Sequence, residues 1–127
     1  MFSKIEIFDM ARGLLGHSAA RQSVIAQNMA NADTPGFRAR DMAAFSDSYR
    51  VAEPDLRPTR PGHIMGGGDA TAPARLHDSP GRSAPNGNTV SLENEMIRAL
   101  DVSRQHEMAL SVYRSSLNIL RSSLGRQ

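Results

Sequence analysis

From Leu92 to Leu124, alternating steps of four and three residues land on Leu92, Met96, Ala99, Ser103, His106, Leu110, Tyr113, Leu117, Leu120 and Leu124. Eight of these ten are apolar, where a hydrophobic content of 39% gives about four by chance. The frame shifted by one residue, from Glu93 to Gly125, holds only Ile97 and Leu100 as apolar members. A repeat near 3.5 residues kept up for this long predicts a single helix of about 50 Å, packed in coiled-coil fashion. Ser91 is placed to cap it, and Glu93 and Glu95 suit the positive end of its dipole. Glu95–Arg98 and Asp101–Arg104 have the spacing to pair on its solvated side, for about a few tenths of a kcal/mol each.

A helix of this kind needs a partner, and the chain offers one at its other end. Between Ile7 and Ala32 the same stepping gives Ile7, Ala11, Leu14, Ser18, Arg21, Ile25, Asn28 and Ala32, widened by Met10, Leu15, Val24 and Met29. Gly13 and Gly16 each cost about 1 kcal/mol against Ala in a helix interior, so this helix is weak alone. With Ala11, Ser18, Ala19 and Ala20 they form a surface of small side chains that a neighbouring backbone can approach closely. The packing seam is therefore expected on Ile7, Leu14 and Ile25 from this helix. From the second helix it takes Leu92, Met96, Ala99, Leu110, Tyr113, Leu117, Leu120 and Leu124.

The N-terminal helix stops within Asn28-Met29-Ala30-Asn31-Ala32-Asp33-Thr34-Pro35-Gly36-Phe37. Pro35 cannot sit inside a helix and pushes Thr34 out of the α region. Pro35-Gly36 suits the central pair of a type II turn, since Gly accepts the positive φ of the second position. Asn28 and Asn31 share a helix face where the last carbonyls need partners. Beyond the turn, Arg38 to Tyr49 is compatible with a short helix or an extended arm. From Pro54 to Gly87 fall six of the seven prolines and six of the ten glycines. That composition buries too little surface to offset its ordering entropy, and it reads as a long arm or loop. Asn86-Gly87-Asn88 is a turn signal leading into the C-terminal helix.

Composition narrows the function classes. A chain of 127 residues is one domain at most, and 5% aromatic residues with no Trp imply a thin core. The net charge is +2 and arginines are scattered from Arg12 to Arg126, without the concentrated basic patch of a nucleic-acid binder. There are no cysteines. His17, His63, His77 and His106 lack metal-ligand spacing, Gly66-Gly67-Gly68 is no phosphate loop, and no serine sits in a nucleophile elbow. His106, on the apolar row, reads as a packed or hydrogen-bonded histidine. No enzyme, cofactor, metal or small-molecule substrate is implied. The first nine residues carry acids where a leader peptide needs an apolar core, and no run approaches a membrane span of about 18 residues.

The run Asn-Met-Ala-Asn-Ala-Asp-Thr-Pro-Gly-Phe at residues 28–37, followed by Arg38-Ala39-Arg40-Asp41-Met42, resembles the signature of bacterial flagellar basal-body rod proteins, and of their short proximal type. Gly62-His63-Ile64 and the stretch from Asn86 to Met96 are similar to that family's mid-chain segment and to its lead-in to the C-terminal helix. Met29 stands where Ile or Leu is usual and Phe37 where Tyr is common. The resemblance implies export without a cleaved leader by the flagellar type III apparatus and assembly in the periplasm. It also implies a rod built with other rod proteins, its base meeting the membrane ring or export gate. It makes Asn28, Met29, Asn31, Asp33, Thr34, Pro35, Gly36 and Phe37 an assembly motif, with Asn28 and Asn31 setting bend and register against neighbours.

The sequence thus predicts an all-α chain. A helix over 1–33 and another over 91–125 pack as a coiled-coil-like hairpin, and 34–90 form an irregular turn and arm within one rod-subunit domain. Neither helix covers the other fully. Leu100, Ala109, Val112 and Ile119 are left over for further copies, and contacts that do not close make filaments. A rod subunit is then expected to be poorly ordered at low concentration and to gain helix on polymerising. The alternative from the same residues is a soluble helical adaptor or export-chaperone-like module that binds one partner helix.

Overall fold

A computed structural model describes residues 2–51, 74–79 and 81–125. In chain order the elements are α1 (Phe2–Ala30), β1 (Arg40–Met42), α2 (Phe45–Val51), β2 (Leu76–Asp78) and α3 (Leu92–Leu124). The fold is mainly helical. Its body is α1 packed antiparallel on α3, as contacts from end to end require: Asn28 meets Glu95, Ser18 meets His106, and the Phe8 and Tyr113 rings lie 4.5 Å apart.

The expected seam is turned on α3, whereas on α1 the deepest burial falls on members of the expected row. On α3 the line of deepest burial is Glu95, Val102 and Ala109, one heptad apart, and on α1 it is Ala11, Ser18 and Ile25. On α3 the expected row lies roughly 60° to one side of this line, at about 100° per residue. Its members Ala99, His106, Leu110, Tyr113 and Leu117 are half-buried along the edge of the contact, as is Leu14 on α1. Leu92 and Met96 are exposed, Ile7 is 47% exposed, and Leu120 and Leu124 stand in solvent past the Phe8–Tyr113 pair. Ala109, expected on the outside, is inside. Size is the reason. Helices approach most closely where side chains are small, so Ala11, Ser18 and Ala109 take the centre and the leucines move to the flank. Periodicity counts apolar residues and does not weigh their volume.

The small-residue surface of α1 is split accordingly. Ala11 and Ser18 face α3, while Gly16, Ala19 and Ala20 are exposed. α1 ends at Ala30, before the expected limit, because the turn begins in the asparagine motif itself. At the start of α3 the Ser91 backbone is extended, as an N-cap requires, but its side chain makes no capping hydrogen bond.

Arg38 to Tyr49 resolves into both alternatives, a strand and then a helix. β1 and β2 pair antiparallel in the register Arg40↔Asp78, Asp41↔His77 and Met42↔Leu76. Hydrogen bonds from Ser79 N–H to Ala39 O at 2.8 Å and from Ala43 N–H to Arg75 O at 3.1 Å extend the ladder. This ribbon lies inside the stretch expected to be irregular, so residues 74–79 belong to the ordered body. The rest of the Pro/Gly-rich arm, residues 52–73, lies outside the described residues, with Gly62-His63-Ile64 and Gly66-Gly67-Gly68.

Candidate assembly site at the end of α1

α1 is closed by its own last turns. The Asn31 N–H bonds back to the Gln27 and Asn28 carbonyls, and Ala32 N–H to Met29 O, tightening the helix. The Phe37 N–H then donates to Thr34 O at 3.3 Å while Gly36 takes a φ of 72°, the geometry expected for Pro35-Gly36. A second tight turn faces this one. Gly87, at φ 79°, brings its own position so close that an added Cβ would lie 3.4 Å from the Gly36 Cα. The two turns join through Gly36 N–H to Asn86 O at 2.9 Å and Thr89 N–H to Phe37 O at 3.1 Å. Only these two glycines have positive φ among the described residues.

Asn88 binds the turns to the helix. Its side-chain amide donates to the carbonyls of Asn31, Ala32 and Thr34 at 2.7 to 2.9 Å, and its Oδ1 accepts from the Val90 N–H. These carbonyls lie in the turns that follow the end of α1, and those of Asn31 and Thr34 also accept from the Thr34 and Phe37 N–H groups. Asn31 contributes more locally, through its amide to Gln27 O and its Oδ1 from the Thr34 hydroxyl.

Asn28 points the other way, into the interior. Its amide donates to Arg40 O at 2.6 Å and to Glu95 Oε2 at 3.0 Å, and its Oδ1 accepts from the Arg40 N–H. One side chain thus completes β1 and holds a carboxylate of α3. Glu95 is also bound by Arg98 Nη1 at 2.8 Å, so the Glu95–Arg98 pair exists but is inside rather than on the solvated face. Asp101–Arg104 is the exposed one. Arg98 continues to the Ser79 hydroxyl at 2.6 Å and lies 3.9 Å from Asp41, which Arg21 grips with both nitrogens at 2.8 Å. Charges alternate along Arg21, Asp41, Arg98 and Glu95, so none is buried alone.

Burial by itself would raise the Asp41 carboxyl. The Arg21 hydrogen bond, the Met42 N–H and the charges of Arg21 and Arg98 outweigh it, and hold the group below its usual value. The Arg21 guanidinium is held above its own, first by the Asp41 hydrogen bond.

Two further polar contacts line α1. The Ser18 hydroxyl donates to Leu15 O at 2.9 Å, which leaves its lone pairs for His106 Nδ1 at 3.0 Å. His106 is thus a hydrogen-bonded seam histidine. His17 Nε2 is 2.8 Å from Ala43 O and must carry the proton there, with the ring edge-on to Phe45.

Of the motif residues, Asn28 is buried, Met29, Asn31 and Phe37 are half-buried, and Asp33, Thr34, Pro35 and Gly36 are exposed. They are brought together with Asn86, Gly87, Asn88 and Thr89 into one clasp. Sequence reasoning did not single out Asn88, Asp41, Arg21 or Thr89 as site residues. For Asn88 the signal was there, a side-chain amide just after an Asn-Gly turn and just ahead of a helix.

The pattern of a family described as flagella basal body rod protein matches residues 15–38, the second half of α1 with its closing turns. The flagellar basal body rod protein FlgB of Escherichia coli strain K12 is 33% identical, over 82% of this chain and 85% of that one. This chain belongs to the FlgB family of flagellar basal-body rod proteins. The FlgB of Aeromonas hydrophila is 30% identical over 94% of this chain and 97% of its own length, and that of Agrobacterium fabrum 29% over 87% of both. The rod protein is thus similar to FlgB chains through α1, the clasp and α3 alike, and its role is that of a structural subunit of the basal-body rod.

Proposed function

We propose that this rod subunit builds the proximal part of a hollow rod by packing its terminal helices against those of further copies and of other rod proteins. It acts without catalysis. The rod so formed links the membrane ring to the distal rod and hook, its base touching ring or export-gate components. The subunit reaches the periplasm through the flagellar export apparatus without loss of a leader. No helix among the described residues is long and apolar enough to cross a membrane.

One observation carries this proposal. The helix pair leaves Ile97, Leu100, Met108, Val112 and Ile119 exposed along α3. An apolar surface of that extent on a small chain marks a protein contact. The test is circular dichroism and negative-stain imaging of the purified chain over a concentration series. A rod subunit gives elongated polymers as concentration rises, whereas an adaptor stays a helical monomer or dimer throughout.

A further inference from the structure

Asn86-Gly87 is the one Asn-Gly pair in the chain, and both residues are exposed. A glycine after asparagine carries no side chain to shield its backbone nitrogen, which can attack the asparagine side chain. The Gly87 nitrogen gives up its proton and bonds to Asn86 Cγ, and the side-chain nitrogen takes a proton and leaves as ammonia. Water then opens the five-membered imide on either side, giving an aspartate or an isoaspartate linked through Cγ. Water is the only co-reactant, and nothing is oxidised or reduced.

The clasp holds this pair in a shape that resists the reaction. Gly87 N–H donates to Ala84 O at 2.8 Å across Pro85 and Asn86, and Asn86 has no positive φ, which makes the turn type I. The third residue of such a turn has a ψ of about 0°, whereas ring closure needs the Gly87 nitrogen eclipsed with Asn86 Cβ, about a third of a turn away. That rotation pulls the Gly87 N–H off Ala84. It also swings the Asn86 carbonyl away from the Gly36 N–H, which it accepts at 2.9 Å. The side chain is tied as well, its Oδ1 accepting from the Asn88 N–H at 3.1 Å.

We propose that Asn86 is a site of spontaneous deamidation which the closed clasp keeps silent and an open clasp releases. The isoaspartate product makes the change one-way. It adds a methylene to the backbone at the point where the two turns meet, next to the Gly87 position whose added Cβ would lie 3.4 Å from Gly36 Cα. The Gly36–Asn86 and Thr89–Phe37 bonds then no longer fall in register. The remaining asparagines are poorer sites, since Asn28, Asn31, Asn94 and Asn118 precede Met, Ala, Glu and Ile. Asn88 precedes β-branched Thr89, whose N–H is held by Phe37 O. The modification thus marks chains by the time they have spent with the clasp open, whatever they assemble into.

The test incubates the full chain at mildly alkaline pH, in buffer and in concentrated urea, and follows deamidation by mass spectrometry. Trypsin releases Asn86, Asn88 and Asn94 together on the peptide from Ser83 to Arg98, and fragmentation tells them apart. In urea Asn86 should react before every other asparagine. In buffer it should react at least about tenfold more slowly, because only transiently opened chains contribute. Asn88→Ala leaves the Asn86-Gly87 pair intact but takes the donor from three carbonyls of the facing turn. In buffer that variant should deamidate at least about fivefold faster than the unaltered chain, while amides around Val102 stay protected. Equal rates for the unaltered chain in buffer and urea overturn the proposal, as does another asparagine reacting first in urea. A variant that keeps Val102 protected yet reacts no faster also overturns it, since the clasp would then not be the lock. Should the variant lose protection at Val102, the two rates of the unaltered chain decide.

Discussion

The Asn28 side-chain amide lies 3.0 Å from Glu95 Oε2, and both residues are 1% exposed. The first asparagine of the motif is therefore committed inside its own chain, joining α1 to α3 and, through Arg40, to β1. Its direct partners come from within the chain, and any influence on bend or register is exerted through the clasp.

Asn28→Leu should consequently harm the isolated subunit, in contrast to a residue that matters only between copies. It removes one of two partners of a buried carboxylate, Arg98 being the other, and both Arg40 backbone bonds, a loss of about 1–3 kcal/mol. A drop in urea midpoint of matching size is the expected readout. Adding Glu95→Met should recover part of it, since Arg98 keeps Ser79 and Asp41.

Asp41 gives the fold a pH dependence with a definite sign. Its folded value lies below the ordinary 3.8, so the unfolded chain binds the proton more readily. The stabilisation is complete above the unfolded value and is lost as pH falls through the folded one. Denaturant midpoints should hold steady above about pH 5 and decline below 4 as this and other carboxylates protonate. Asp41→Asn should lower the plateau and flatten part of that decline.

Paired truncations weigh a seam residue that periodicity and structure share against one that periodicity suggested and the structure leaves outside. Ile25→Ala empties a buried site and should cost about 2–5 kcal/mol. Met96→Ala, on a side chain 58% exposed, should change monomer stability by less than about 0.5 kcal/mol. Thermal unfolding of the dilute chain reads both.

Asn88→Ala removes the donor to the carbonyls of Asn31, Ala32 and Thr34. A loss of about 1–3 kcal/mol is expected, concentrated locally. Amides of residues 31–37 and 86–90 should exchange faster, while those around Val102 change little.

Much of this architecture was legible in the sequence. Long apolar periodicity placed α3 within a residue of its ends, and Pro35-Gly36 placed the turn and its type, because both act through neighbours in the chain. The face of α3 was misjudged because Ala109 and Glu95 are poor hydrophobic signals. One is buried for its small size, the other because Asn28 and Arg98 satisfy it. The β1–β2 ribbon was missed since its strands are three residues each and separated by more than thirty positions, too short for a period to show. The triple use of Asn88 depends on a meeting of two distant turns, which composition does not encode.

The central claim is that the clasp and the inner seam belong to the single chain, while the outer faces wait for neighbours. Hydrogen exchange on the full chain, dilute and again after polymerisation, tests it most directly. The account predicts that amides of residues 18–34 and 88–106 are already protected in the dilute chain and remain so in the polymer. Exchange of those amides at unfolded rates when dilute, with protection arriving only on polymerisation, would contradict it.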